Sequence, residues 1–322
     1  MTPIGVGLIG LGRHGMRYAK HLLEGNPPSR LVAVCRRNAQ QGMTFAKTNN
    51  LSFYKDFRGL IADPRVEAVL VVTAPSLTLP IAREAIRHQK PLLIEKPLAI
   101  HGADAREIVE RADSHSIPLM TAQTLRYDAA ILKLKEIGLK IGKWKYLSLT
   151  ARMEHREHSK EDIQAWANRG VILEMGVHLF DLVRFLTGEE IREVYCELVS
   201  PDHQGPEDQA WIRLTTHSGL LCFLDVSRVS SNRVTRAEII GEKGQVCADW
   251  SKSTVHLSTH QNHPEEYQLP ATHTLLSVLQ AFSLALKNHD PMPITGLDGQ
   301  RAVELADACY QSAAAGRPIE LT

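Results

Sequence analysis

Ile4-Gly5-Val6-Gly7-Leu8-Ile9-Gly10-Leu11-Gly12-Arg13-His14-Gly15 is the stretch on which the fold turns. An apolar run of strand length passes straight into G-x-G-x-x-G, and a helical pattern opens behind it. Strand, glycine turn and helix are the context that dinucleotide binding requires of this motif. Gly10 serves the tight turn, Gly12 the close approach of backbone to a pyrophosphate, and Gly15 the packing of helix on strand. The helix N-terminus adds unpaired N–H groups and a partial positive charge. The alternative is a tight β–α turn with no ligand.

Outward from this stretch, strands and helices alternate. Leu31 to Cys35, Leu51 to Phe53, Val66 to Val72, Leu92 to Ile94 and Ile117 to Met120 read as strands. Between them, Arg17 to Leu23, a segment capped by Asn38, Ser76 to His88 and Ala103 to Ser114 carry helical spacing. The nearly continuous apolar strands suit a sheet covered on both faces. Repeated β–α units imply a doubly wound parallel sheet of the Rossmann type. After about Ala122 the pattern changes to a short helix (Tyr127 to Ile137), a strand (Lys143 to Met153), a polar loop (Arg152 to Ile163) and a helix (Gly170 to Leu186). Several turn-linked strands then run from Ile191 to about His256, and two helices close the chain, at about Thr274 to Leu286 and Leu297 to Ala315. Strands without intervening helices indicate a mainly antiparallel sheet. The expected division is 1–122, a dinucleotide-binding domain, and 123–322, an α+β domain for substrate and self-association built on a large open sheet.

Composition narrows the function. A chain of 322 residues calls for more than one core. The 43% apolar and 23% charged residues are those of a soluble globular protein, and a net charge of +1 argues against a nucleic-acid partner. No apolar run is long enough to span a bilayer, and the start of the chain lacks a signal-peptide pattern, so a cytoplasmic location is expected. The five cysteines are scattered without a C-x-x-C, which points to free thiols rather than a disulfide framework or zinc cluster.

Two further signals concern chemistry. An NAD-specific fold of this type places Asp or Glu about twenty residues past the glycines. Here the second strand ends Cys35-Arg36-Arg37-Asn38, with two guanidiniums and no carboxylate. Guanidinium suits phosphate through its planar fork, so NADP(H) is expected over NAD(H). The alternative is a pair of solvated arginines, and Arg13 either joins the same pocket or faces solvent. Glu95-Lys96-Pro97 follows a buried strand, at the carboxyl edge where open α/β sheets bind ligands. Lys96 there can polarise an oxygen, and a surface ion pair is the plainer explanation. Glu174 and His178, spaced i, i+4, share one helix face, and a carboxylate beside a histidine can orient a general acid–base. Gly176 leaves room for a flat ring against the backbone. No metal is expected, because the carboxylate–histidine pair lacks further ligands.

These stretches together resemble the Gfo/Idh/MocA oxidoreductases, the glucose–fructose oxidoreductase and inositol dehydrogenase family. The resemblance rests on Gly10 to Gly15, Glu95-Lys96-Pro97-Leu98, Leu125-Arg126-Tyr127, Gly176-Val177-His178-Leu179-Phe180-Asp181, and the tail from Tyr310-Gln311-Ser312 to Gly316-Arg317-Pro318. It implies hydride transfer between a nicotinamide and a sugar or polyol carbon, with Lys96 and His178 at the family's catalytic positions. It also implies homodimers or homotetramers formed through the second-domain sheet. Three positions depart from the family. Glu174 stands where it usually has Asp, Arg169-Gly170 replaces Gly-Gly, and the loop Thr73-Ala74-Pro75-Ser76-Leu77-Thr78-Leu79 lacks its Asn and His.

The expected catalytic residues are therefore Lys96, His178 and Glu174. Cofactor contacts are expected from Gly10, Gly12, Arg13, His14, Gly15, Arg36, Arg37, Thr73, Pro75, Ser76, Glu95 and Lys96. Substrate contacts are expected from Arg126, Tyr127, Arg152, His155, Trp166 and His178. The rival function is an NADP(H)-binding sensor that kept the fold without efficient turnover. A third candidate is the same chemistry on a non-sugar carbonyl.

Overall fold

The computed structural model describes residues 2–25, 28–154, 164–200, 205–260 and 263–321. They form two compact units, 1–124 with 274–301, and 125–273 with 302–322.

The first unit holds a parallel sheet of β1 (Ile4–Ile9), β2 (Ser29–Cys35), β3 (Ser52–Tyr54), β4 (Ala68–Val71), β5 (Leu92–Glu95) and β6 (Leu119–Ala122), in the order β3-β2-β1-β4-β5-β6. This is the doubly wound order, with its topological switch between β1 and β4. Strands β4, β5 and β6 are buried along their whole length, as a sheet covered on both faces demands. The connecting helices are α1 (Arg13–Leu23), α2 (Ala39–Thr48), α3 (Phe57–Ala62), α4 (Thr78–Arg87) and α5 (Gly102–Ser114). α1 buries Gly15, Tyr18, Ala19 and Leu22, one stripe at helical spacing. Asn38 caps α2 by accepting the Gln41 N–H at 3.0 Å, as its side chain suggested. The expected helix start at Ser76 is a 3₁₀ turn, Pro75–Leu77, that leads into α4.

The second unit contains α6 (Ala129–Gly138), β7 (Trp144–Glu154), a helix from Val171 whose residues Ile172–Gly176 form a π-turn and whose α-helical part is α7 (Val177–Thr187), and β8 (Ile191–Val199). Then follow β9 (Gln209–Thr216), β10 (Leu221–Ser230), β11 (Val234–Gly241), β12 (Gly244–Asp249), β13 (Thr254–Thr259) and β14 (Glu265–Gln268). With β15 (Ile319–Glu320) they make a nine-stranded sheet, β14-β13-β12-β11-β7-β10-β9-β8-β15. Every pairing is antiparallel except β7 with β10. Burial alternates along β9, β10 and β11, so one face is covered and the other open.

The expected boundary needs one change. The helix α8 (Thr274–Asn288), read from the sequence as part of the second domain, clusters with the first unit. It packs on α1, and the Ser283 hydroxyl donates to Ser29 Oγ at 2.9 Å. Gly296, at the start of α9 (Gly296–Ala315), lies so close to Leu119 that a Cβ there would meet its Cδ2 at 2.4 Å. The apolar stripe of α8 was visible in the sequence, but nothing local says which core receives it.

Candidate active site

The nucleotide end is built at the carboxyl edge of the first sheet. Gly10 has φ +101°, and a Cβ on it would lie 2.0 Å from the Val72 carbonyl oxygen. A Cβ on Gly15 would lie 1.9 Å from the Gly10 carbonyl oxygen, so helix and turn touch through bare backbone. Gly12 caps α1 with no side-chain hydrogen bond, and the space where its Cβ would stand is open. A turn that is tight on its protein side and open at Gly12, at an uncapped helix N-terminus without acidic residues, fits a dinucleotide pyrophosphate. Thr73, just past β4, supports the same fit. Its Oγ1 is buried and has no partner among the described residues. Pro75 is buried and Ser76 exposed in the turn that follows.

Arg36 leaves the end of β2 and donates from Nη1 to the Leu11 carbonyl at 2.6 Å, which ties it to the glycine turn. Arg37 and Arg13 are exposed. Glu95, expected at the nucleotide, has several protein partners. Its buried carboxylate accepts the Tyr18 hydroxyl at 2.5 Å and the Lys96 N–H at 3.0 Å, and lies 2.9 Å from His14 Nε2. It braces α1 against β5, and burial together with this carboxylate pushes the Tyr18 hydroxyl well above its usual pKa. Lys96 is half-buried directly after β5, and the Lys96–Pro97 peptide is cis. Gln123, just past β6, was not anticipated. It is buried, and its Oε1 has no partner among the described residues.

In the second unit, His178 is half-buried in the first turn of α7 with its Nδ1 buried. The turn before it is π-helical rather than the regular α-helix that the spacing suggested; such insertions are frequent at functional sites. Arg228 Nη1 lies 3.4 Å from Glu174 Oε2. The space that Gly176 opens to a ring belongs to Phe180, whose ring atoms would lie 3.3 Å from a Cβ there. Arg126, expected at the substrate, donates from Nε and Nη2 to buried Asp181 at 2.8 and 2.6 Å and so braces α7. Tyr127 is half-buried in the preceding 3₁₀ turn, and burial raises its pKa. Trp166 is half-buried in the turn leading to Gly170.

Arg152 was also expected at the substrate. On β7 the covered row is Leu147, Leu149 and Ala151, so Arg152 projects from the open face, where its Nε bonds Asp225 at 3.0 Å. The sequence reading let the polar loop begin at Arg152, whereas β7 runs through it to Glu154 and keeps the alternation. His155 lies outside the described residues. Among the described residues, no three His, Cys, Asp or Glu side chains are arranged to hold a metal.

Residues 4–123 match the oxidoreductase family with an NAD-binding Rossmann fold, and residues 140–247 match the Gfo/Idh/MocA C-terminal domain. The chain belongs to the Gfo/Idh/MocA oxidoreductase family. It is 29% identical to myo-inositol 2-dehydrogenase of Thermotoga maritima, covering 98% of both chains. It is 28% identical to 1,5-anhydro-D-fructose reductase of Ensifer adhaerens, covering 90% of this chain and 91% of that one. Among solved structures, a probable dehydrogenase from Thermotoga maritima superimposes with a TM-score of 0.85 at 28% identity over 98% of each chain. The family makes this chain an oxidoreductase with an NAD-binding Rossmann domain.

Proposed function

We propose that this oxidoreductase moves a hydride between a nicotinamide nucleotide, NADP(H) in preference to NAD(H), and the CH–OH carbon of a sugar or polyol. The relatives named for inositol and anhydrofructose support that substrate class. The observation that carries the reading is the cradle at the carboxyl edge of the first sheet, tight at Gly10 and Gly15 and open at Gly12, with Lys96 at the end of β5. When bound, the nicotinamide supplies the hydride acceptor or donor. Gly12 and the N-terminus of α1 receive the pyrophosphate. Arg36 and Arg37 favour a 2′-phosphate because guanidinium is the better phosphate fork and no carboxylate stands at the end of β2. In the oxidative direction His178 takes the hydroxyl proton, and in reduction it returns it. Lys96 donates to the reacting oxygen and stabilises the charge that develops there. Glu174 orients the imidazole.

Self-association belongs to the same proposal. The open sheet face exposes Trp211, Phe223, Leu221, Val234 and Ile240, and a groove of about 420 Å³ lined by Tyr195, Trp211, Arg213 and Phe223 crosses it. An apolar surface of this kind suits a second copy of the chain.

A screen of ketoses, aldoses and inosones with NADPH deuterated at both C4 positions tests the reading. Deuterium is expected on the product carbon. Turnover that leaves the product unlabelled, or no turnover across the screen, contradicts it.

A further inference from the structure

Glu207 and Asp208, which directly precede β9, have no part in the chemistry above, yet both grip the helix that carries His178. Glu207 is only 4% exposed. Its Oε2 accepts the Gly170 N–H at 3.0 Å, and its Oε1 accepts the Ile172 N–H at 3.0 Å and the Tyr310 hydroxyl at 2.7 Å. Its backbone carbonyl accepts the Val171 N–H at 3.0 Å. One residue thus holds three consecutive N–H groups at a helix start, where intrahelical partners are lacking. The approach is close, since a Cβ on Gly170 would lie 2.0 Å from the Glu207 carbonyl oxygen.

Asp208 reaches the same helix through Arg228. Its Oδ1 accepts Arg228 Nε at 2.5 Å, and its carbonyl accepts the Arg228 N–H at 2.9 Å. Arg228 continues the buried row Cys222, Leu224 and Val226 of β10, so it projects from the covered face of the sheet. There its Nη1 meets Glu174, four residues before His178.

We propose that Glu207, Asp208 and Arg228 are positioning residues that hold the π-turn and thereby set the direction of His178 and Glu174. A π-turn is rare and carries one more residue than the α-turn it replaces, so bonds from outside the helix must select it. Relaxation to an α-turn would rotate the following side chains by about 100° relative to those before it. Holding the first N–H groups through Glu207 and Glu174 through Arg228 opposes that rotation. The inference rests on the acid–base role proposed for His178.

The test compares Arg228→Gln, Arg228→Lys and Glu207→Gln in the full chain, with Glu174→Asp as a variant that shortens the reach to Arg228 and leaves the Asp208 pair intact. The readouts are kcat and KM, NADPH affinity, and the ¹⁵N signal of the His178 imidazole, assigned by its absence in His178→Ala. Arg228→Gln, Glu207→Gln and Glu174→Asp are expected to move the His178 signal. In Arg228→Gln, kcat is expected to fall by about tenfold or more, with NADPH affinity unchanged. Arg228→Lys is expected to recover part of both, because it keeps the charge and loses the fork. An unmoved His178 signal in Arg228→Gln and Glu174→Asp overturns the proposal, as does an Arg228→Lys no better than Arg228→Gln. If the wild type turns over no alcohol or carbonyl, the proposed function falls, and the His178 signal still decides the positioning role.

Discussion

Arg36 shows how far a single residue can be read before its partners are known. Its place after β2, where a carboxylate would mark NAD, was legible because the signal is local: a strand end, twenty-odd residues past a glycine turn. Its bond to the Leu11 carbonyl, 25 positions away, was not. Only one of its five N–H donors is spent there. Arg36→Asp is expected to weaken NADPH binding by about ten- to a hundredfold relative to NADH, the range for a lost charged hydrogen bond. Fluorescence titration of both nucleotides checks it, and equal wild-type affinities would refute the role given to Arg36. Glu95 is the opposite case. Beside Lys96 it reads as a ligand contact, and its bracing role was not legible, because Tyr18 and His14, which converge on it, lie 77 and 81 positions away.

At the scale of elements, long periodic segments were legible and short or externally held ones were not. The six residues of α3 are too few to display a period. The π-turn has no signature in its own residues, because the groups that meet it, Glu207 just before β9 and Arg228 on β10, come from elsewhere in the chain. Asp63, just past α3, shows how such tertiary bonds enter stability. It accepts the Arg65 N–H at 2.9 Å, Arg65 Nη2 at 2.7 Å and the Tyr54 hydroxyl at 2.9 Å. The Arg65 guanidinium in particular holds its carboxyl down at about 2. That lies below the unfolded value of about 3.9, so the ionised form is favoured by folding. Its contribution is present above about pH 4 and is lost as pH falls towards 2. The Tm gap between wild type and Asp63→Asn is therefore expected to narrow over that window and to stay constant above it. A gap independent of pH from 2 to 7 would contradict this.

For the whole molecule, a doubly wound domain followed by an open sheet was legible from the change of pattern near Ala122, and the return of 274–301 to the first unit was not. Sequence order favours contiguous domains, whereas α8 is placed by the surface of α1. The open sheet face was foreseen as architecture, and the aromatic side chains exposed on it, Trp211 and Phe223, were not singled out from the sequence. The central proposal is hydride transfer with His178 as acid–base. It is tested most directly by steady-state turnover of His178→Ala beside wild type, on a substrate the screen identifies, with NADPH titrated into both. The expected result is a loss of about 10²–10⁴-fold in kcat with nucleotide affinity unchanged. Turnover in His178→Ala equal to that of the wild type would contradict the claim.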